Sequence, residues 1–363
     1  MQLGIVGLPQ SGKTTVFNAL TGGAAPVAAG SGYGQETHVA VVKVPDARLD
    51  MLTEMFSPRK TTPAEVQYTD FPGAGFGSKD RSEAAWVGQL RTVDALLLVV
   101  RAFADESVPH EGPVDAAGDA AAVQLETIVS DLGIIERRLQ RLEADLRRTR
   151  SGERAPLEAE QALLLRFQAV LESGTPLRDL ELSEDEARSV RGYQFLSLKP
   201  LLIVLNLGED QLAAGSELEA AVAGAAAHRK LAVASLSGKL EMELSQLEPD
   251  DAGVFMADMG VEELAAGRII RESYDLTGLI SFLTAGEDEC RAWPILRGTR
   301  APQAAGAIHT DLEKGFIRAE VVAYTDLVEC GGLAEARKRG LLRQEGRNYV
   351  VQDGDVMNIL FSK

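Results

Sequence analysis

The run Gly7-Leu8-Pro9-Gln10-Ser11-Gly12-Lys13-Thr14-Thr15 has the spacing G-x-x-x-x-G-K-[ST], and it lies between an apolar stretch, Leu3–Val6, and a helix-like stretch, Val16–Leu20. That order dictates a strand, a tight loop and a helix, because successive loop amides and the helix N-terminus then face a phosphate chain. Lys13 supplies a point charge for the β- and γ-phosphates, and Thr14 offers a hydroxyl to Mg²⁺. Gly7, Pro9, Gln10, Ser11, Gly12 and Thr15 complete the predicted phosphate-binding set. A chance Gly-rich turn would not require Lys-Thr and a helix in this order.

Strands predicted at Leu3–Val6, Val39–Val44, Glu65–Thr69, Ala95–Val100, Leu201–Leu205 and Leu231–Ala234 alternate with helical segments. This is the pattern of an α/β domain with a mainly parallel sheet covered by helices, whose ligands sit at the carboxyl ends of the strands. The interval between Val100 and Leu201 is too long for a crossover helix. Within it Leu125, Ile128, Leu132, Ile135, Leu139, Leu142 and Leu146 recur at alternating spacings of three and four. Leu157, Leu164, Phe167 and Leu171 extend a weaker seam past the break at Ser151-Gly152 and Pro156. Such a broken heptad seam predicts an antiparallel helical hairpin projecting from the sheet domain, with dimerisation as the other use of the same pattern. From about Leu279, short strand-like pieces such as Ile317–Tyr324 and Tyr349–Val351, interrupted by Gln352-Asp353-Gly354-Asp355, mark a small α+β domain. The expected division is residues 1–120 and 196–278 for the nucleotide-binding domain, 121–195 for a helical coiled-coil insertion and 279–363 for the C-terminal domain.

A chain of 363 residues with 45% hydrophobic composition is long enough for these parts to bury their own cores. No apolar run approaches the ~18 residues of a membrane span, and the N-terminus leads into the phosphate loop, so a cytoplasmic protein without membrane contact is expected. Cys290 and Cys330 lack metal-ligand spacing and read as reduced core residues. A net charge of −17 argues against a surface that coats nucleic acid as a whole. Any RNA contact must come from a local patch, and two exist. One is Arg137, Arg138, Arg141, Arg147, Arg148, Arg150 and Arg154; the other is Arg337, Lys338, Arg339, Arg343 and Arg347. A solvated helix face accounts for either patch taken alone.

A second half-site follows at Asp70-Phe71-Pro72-Gly73, where nucleotide-hydrolysing phosphate-loop proteins keep an Asp near the metal and a Gly that senses the γ-phosphate. The next residue is Ala74, where Ras-type enzymes place the Gln that orients the attacking water, so another group must position it. Thr37, the only threonine in Gly32–His38, is the candidate hydroxyl of a loop closing over Mg²⁺, with a plain surface loop as the equal alternative. The base should meet Asn206-Leu207-Gly208-Glu209, which stands where guanine-specific proteins place Asn-Lys-x-Asp. Lengthening Asp to Glu displaces the carboxylate that accepts two guanine hydrogen bonds, and polar mismatches at such a site are costly, so adenine becomes the favoured base. Ser235-Leu236-Ser237 would support the base from the next strand end.

Taken together, GIVGLPQSGKTTVFNALTG, VPDARLD (Val44–Asp50), Asn206–Glu209, FLTAGEDECRAW (Phe282–Trp293), IHTDLEKGFIRAE (Ile308–Glu320) and YVVQDGDVMNILF (Tyr349–Phe361) resemble the Obg-like ATPases of the YchF type, within the translation-factor-related phosphate-loop GTPases. The resemblance covers essentially the whole chain. It implies a G domain interrupted by a coiled-coil insertion and followed by a TGS domain of β-grasp fold. It further implies Mg²⁺-dependent hydrolysis of ATP in preference to GTP, and association with ribosomes, with the basic arm and the TGS domain meeting RNA of the large subunit. By register with Val99–Phe103, the histidine that the family offers for water positioning falls on His110. The chain departs from the family at DFPGAGFGSKD (Asp70–Asp80), and the family's switch-loop threonine falls on Gly34. Two other readings stay open: a nucleotide-gated ribosome- or RNA-binding module with little intrinsic hydrolysis, and a GTP-preferring GTPase.

Overall fold

The computed structural model describes residues 1–23, 37–71, 81–108, 112–226, 228–247, 249–258 and 263–362. The chain divides into two compact units, Met1–Ala40 with Gln67–Ile269, and Val41–Val66 with Ile270–Lys363.

In chain order the first strands are β1 (Gln2–Val6), β2 (His38–Lys43), β3 (Lys60–Thr62), β4 (Glu65–Asp70), β5 (Ala95–Arg101), β6 (Leu201–Asn206) and β7 (Leu231–Leu236). Six of them form one sheet in the order β2-β4-β1-β5-β6-β7. β1 pairs in parallel with β4 and β5, β5 with β6, and β6 with β7. The uninterrupted apolar runs of β5 and β6 are buried throughout, as strands covered on both faces require. Leu96, Leu98, Val100, Ile203 and Leu205 pack with Leu90, Val123 and Val222 from flanking helices. The strands run further than their apolar residues suggest: β4 reaches Asp70, β5 Arg101 and β6 Asn206, so each ends on a polar side chain at the same edge of the sheet.

Five helices matter for the site and its arm: α1 (Lys13–Thr21), α2 (Ala47–Phe56), α3 (Arg81–Leu90), α4 (Ala116–Arg148) and α5 (Ala155–Glu172). α4 and α5 fold back on each other, and Ile128, Ile135 and Leu142 of α4 bury with Leu164, Phe167 and Leu171 of α5. Leu132, Leu139 and Leu157 pack at the margin of that cluster. The predicted seam therefore closes within one chain. Its first member does not take part: Leu125 is 54% exposed, while Gln124, Thr127 and Asp131 are buried. The reason is that the base of α4 leaves the hairpin seam and packs against the sheet domain, where Val123 and Ala120 join its core.

Asp131, which has no exposed surface, fixes that base. It accepts hydrogen bonds from Arg91 Nη1 (2.8 Å) and from the backbone amides of Leu196 (3.0 Å) and Ser197 (2.7 Å). One carboxylate thus joins the end of α3, the arm and the segment returning to β6. Further out, Arg138 holds Glu160 through two hydrogen bonds of 2.8 Å.

In the second unit, β8 (Leu279–Thr284), β9 (Glu289–Leu296), β10 (Phe316–Ala323), β11 (Arg343–Glu345) and β12 (Asp355–Phe361) form with β3 a sheet of order β11-β10-β12-β8-β9-β3. Ile280, Phe282, Ile295, Phe316, Val321 and Met357 pack against Ala301, Ala304 and Ala305 of the helix Ala301–Ile308. Residues 41–66, which the sequence reading keeps within 1–120, fall with this unit. β3 pairs in parallel with β9, and Arg48, chelated by Asp46, also donates to Asp353 Oδ2 (2.9 Å). A three-residue polar edge strand carries no periodicity, which is why the sequence does not announce it. Cys290 is buried and Cys330 half-buried, both as free thiols. Among the described residues no helix is long and apolar enough to cross a membrane.

Candidate functional site

The polar strand ends gather around the loop between β1 and α1. Gly12 enters the helix at φ 89°, in the left-handed region, and a Cβ there would lie 2.1 Å from Asn206 Nδ2. A Cβ on Gly7 would lie 2.3 Å from the Val99 carbonyl oxygen of β5. Both glycines of the motif are thus demanded by close approach of the loop to neighbouring strands. Pro9 and Gln10 form the exposed crest, whereas Ser11 is buried. Thr15, half-buried in the first turn of α1, faces Gly238.

Lys13 folds back over the loop and its Nζ donates to the carbonyl oxygens of Gly7 (3.0 Å) and Leu8 (2.9 Å). Burial lowers its pKa to about 8, against the opposing pull of the Asp70 charge. Thr14 Oγ1 donates to Asp70 Oδ2 (2.8 Å) at the end of β4. Burial raises the Asp70 pKa, while the Thr14 hydroxyl, Lys13 and His38 act to lower it. The other carboxylate oxygen, Asp70 Oδ1, is buried and has no hydrogen-bond partner among the described residues. A buried oxygen without a partner next to a threonine hydroxyl fits Mg²⁺, a hard cation that takes one or two protein oxygens and completes its shell with phosphate and water. Thr37 is exposed just ahead of β2. Gly73, Ala74, His110 and Gly34 lie outside the described residues.

At the other end of the site, Asn206 closes β6. Its Nδ2 donates to the Ser11 carbonyl (3.0 Å), and its Oδ1 accepts from the Gly238 amide (3.1 Å). Asn206, the residue expected to read the base, also ties the phosphate loop to the two loops after β6 and β7. The Leu207 side chain is 3% exposed in the sheet core, which turns its backbone toward the loop. Glu209 is exposed and pairs at 3.8 Å with Lys239. The Ser235 hydroxyl donates to Glu219 Oε1 (2.6 Å), which Arg268 holds in turn (2.7 Å), so this side chain turns into the protein. Ser237, two residues on, has instead a buried hydroxyl without a hydrogen-bond partner among the described residues.

Sequence reasoning missed Phe103 and Lys239. Phe103, half-buried just past β5, brings its ring edge to 3.9 Å from the position of a Gly12 Cβ. The signal was present: an aromatic residue two positions beyond a central strand, on the strand that neighbours β1.

The two basic patches also differ once folded. Arg337, Lys338, Arg339 and Arg343 pair with Glu320, Glu335 and Glu345, and Arg347 donates to the Phe316 carbonyl. In the arm, Arg137, Arg141 and Arg148 are spaced by four and seven residues along α4, on one face. They and Arg150 are exposed, and no ion pair is recorded for them among the described residues.

Residues 2–130 match a family model described as a 50S ribosome-binding GTPase, and residues 279–362 match the YchF-GTPase C-terminal model, described as a protein of unknown function. A Bacillus subtilis protein named ribosome-binding ATPase YchF is 39% identical over 99% of this chain and 98% of its own length. The Escherichia coli O157:H7 protein of the same name is 36% identical, with the same coverage. The solved structure of the Schizosaccharomyces pombe YchF GTPase superposes with a TM-score of 0.84 at 29% identity, covering 99% of this chain and 97% of that one. With relatives aligned from the phosphate loop to the last strand, the chain belongs to the YchF family.

Proposed function

We propose that this protein is a Mg²⁺-dependent nucleoside-triphosphate hydrolase that prefers ATP to GTP and works in association with the ribosome. The observation that carries the reading is the pairing of Thr14 with Asp70, whose other carboxylate oxygen is buried without a partner among the described residues, with Lys13 folded over the same loop. Lys13 and the loop amides bind the β- and γ-phosphates, and Thr14 and Asp70 hold the metal, which when bound neutralises charge developing on the phosphates. Phosphate binding draws Lys13 from the Gly7 and Leu8 carbonyls to the ligand, exchanging neutral acceptors for an ionised one. Thr37 adds a hydroxyl from the closing loop, Gly73 reports the γ-phosphate, and His110 positions the attacking water in place of the Gln that Ala74 replaces. The remaining chemistry is orientation and charge stabilisation.

Base selection rests on the Leu207–Glu209 backbone, the Glu209 carboxylate and the partly exposed Phe103 ring, with Asn206 holding the geometry. Glu209 is one methylene longer than the Asp of guanine readers, which displaces its carboxylate from the guanine edge, and it lies 3.8 Å from Lys239. The relatives named ribosome-binding ATPase support the ribosome as partner, and the likeness of residues 2–130 to a 50S ribosome-binding GTPase family supports docking on the large subunit. The arm, residues 121–195 in the expected division, presents the Arg137, Arg141 and Arg148 face to RNA phosphates, and the TGS domain makes the lesser charge contribution.

Titration with labelled ATP and GTP in Mg²⁺ tests the nucleotide reading: micromolar GTP binding without ATP binding sinks the adenine preference. Single-turnover hydrolysis of His110→Ala tests the water-positioning role. ATP affinity should hold while the rate falls by about a hundredfold, the scale of a general acid–base or orienting group. An unchanged rate removes His110 from the mechanism.

A further inference from the structure

Arg101, at the carboxyl end of β5, is 3% exposed, an unusual depth for a guanidinium. Four of its hydrogen bonds run to backbone carbonyls. Nε donates to the Phe103 carbonyl (3.2 Å), Nη1 to Val108 (3.2 Å), and Nη2 to both Asp105 and Val108 (3.2 Å each). The guanidinium carbon also lies 4.4 Å from the centroid of the Phe103 ring. One side chain therefore gathers three carbonyl oxygens of the loop that follows it and stacks on that loop's aromatic residue. The loop is placed at the site by its neighbours: Arg101 is in register with Asn206 across β5 and β6, and the Ala102 amide donates to the Asn206 carbonyl (2.9 Å).

We propose that Arg101 is a positioning residue for nucleotide recognition. It folds residues 102–108 around its guanidinium and so holds the Phe103 ring beside Gly12 and Asn206, as a wall for the base of the bound nucleotide. This rests on the reading of the site given above, and it assigns to Arg101 a role that neither the phosphate loop nor the Asn206–Glu209 loop performs. A planar fork suits the task, because three carbonyls converging from one turn need donors in several fixed directions and the ring needs a flat cation above it. A lysine offers donors from a single point; a methionine offers none, so the Phe103 and Val108 carbonyls lose the donor that gathers them.

The test compares Mg²⁺-ATP with Mg²⁺-tripolyphosphate, which has the phosphates but no base, on the full-length protein by isothermal titration. Arg101→Met and Phe103→Ala should each weaken ATP by about tenfold, the scale of one lost base–aromatic stack, while tripolyphosphate affinity stays within about twofold of wild type. The double variant should be no weaker than either single one, because both act on the same ring. Loss of ATP and tripolyphosphate binding in equal measure in Arg101→Met would reduce Arg101 to a general structural residue and overturn the proposal. Unchanged ATP affinity in Phe103→Ala would overturn it as well. If Arg101→Met does not fold, Arg101→Lys decides: about threefold weaker ATP binding with unchanged tripolyphosphate binding supports the role, and wild-type ATP binding removes it. Lys13→Ala keeps the two readings apart, since indifference of both ligands to that change would refute the phosphate site itself, whatever Arg101 does.

Discussion

The two ends of the nucleotide site are built on opposite principles. At the phosphate end, polar groups are held in reserve: Asp70 Oδ1 is buried without a partner among the described residues, and Lys13 is parked on backbone carbonyls with its pKa brought down to about 8. At the base end, most polar groups are already engaged with the protein, the Ser237 hydroxyl excepted: Asn206 bridges Ser11 and Gly238, Ser235 is bound to Glu219, and Arg101 donates to carbonyls of the loop that follows it. The difference teaches where ligand binding does its work. On the proposed function, charge at the phosphate end is completed by the ligand, whereas the base end is a largely preformed template that selects by shape.

Removing the phosphate charge is the strongest way to break this contrast. Lys13→Ala should weaken ATP by at least about a hundredfold, the scale of losing charge-assisted hydrogen bonds to phosphate, with little change in thermal stability. Equal losses of stability and affinity would mean that Lys13 holds the empty loop together. Next in size, Gly12→Ala introduces a side chain at φ 89° and against Asn206 Nδ2, which should cost about 2 kcal/mol of stability and abolish binding, read by denaturant melts. A variant of wild-type stability would show that the loop and the base brace do not touch as described.

Asn206→Ala removes two buried hydrogen bonds and sharpens the template side of the comparison. It should cost about 2 kcal/mol of stability and weaken ATP and GTP alike, measured by melts and titration, because a brace serves both bases. A selective loss of ATP would return Asn206 to the role of base reader.

The Lys13 environment also makes binding depend on pH. A phosphate beside the ammonium raises its pKa from the free value of about 8, so binding takes up a proton between the free and bound values. Affinity is then fully present below about pH 8 and falls as pH rises through that range, and calorimetry in buffers of different ionisation heat at pH 8.5 should register the proton uptake. No uptake would place the Lys13 pKa elsewhere.

A smaller effect separates the two basic patches. Reversing Arg137, Arg141 and Arg148 should lower the log–log salt slope of ribosome binding by about three, and reversing Arg337, Lys338 and Arg339 by less than about one, since the latter are paired in the folded chain. Equal slopes would erase the distinction between arm and TGS domain.

Much of this was legible in the sequence wherever a residue type meets a physical demand that nothing else satisfies. Gly7, Gly12, Lys13 and Thr14 announce the phosphate loop, and the apolar runs of β5 and β6 announce buried parallel strands. The heptad seam announces a hairpin, although Leu125 shows that periodicity alone does not say where a helix stops facing its partner. What the sequence hid is contact at long range. That Asn206 braces Ser11, that Ser235 turns inward to Glu219, and that Lys60–Thr62 joins the second sheet all depend on segments brought together only by folding. Arg101 and Phe103 were hidden for a related reason, since an Arg after an apolar strand reads as exposed until the loop wrapped around it is seen.

On the proposed function, a charged phosphate grip and an adenine-shaped template act together in one Mg²⁺-dependent site. Paired titrations of ATP and GTP with Mg²⁺ test it most directly. Micromolar ATP binding at least about tenfold tighter than GTP binding, lost for both in Lys13→Ala, is the expected result. GTP binding as tight as or tighter than ATP, or ATP binding indifferent to Lys13, would contradict it.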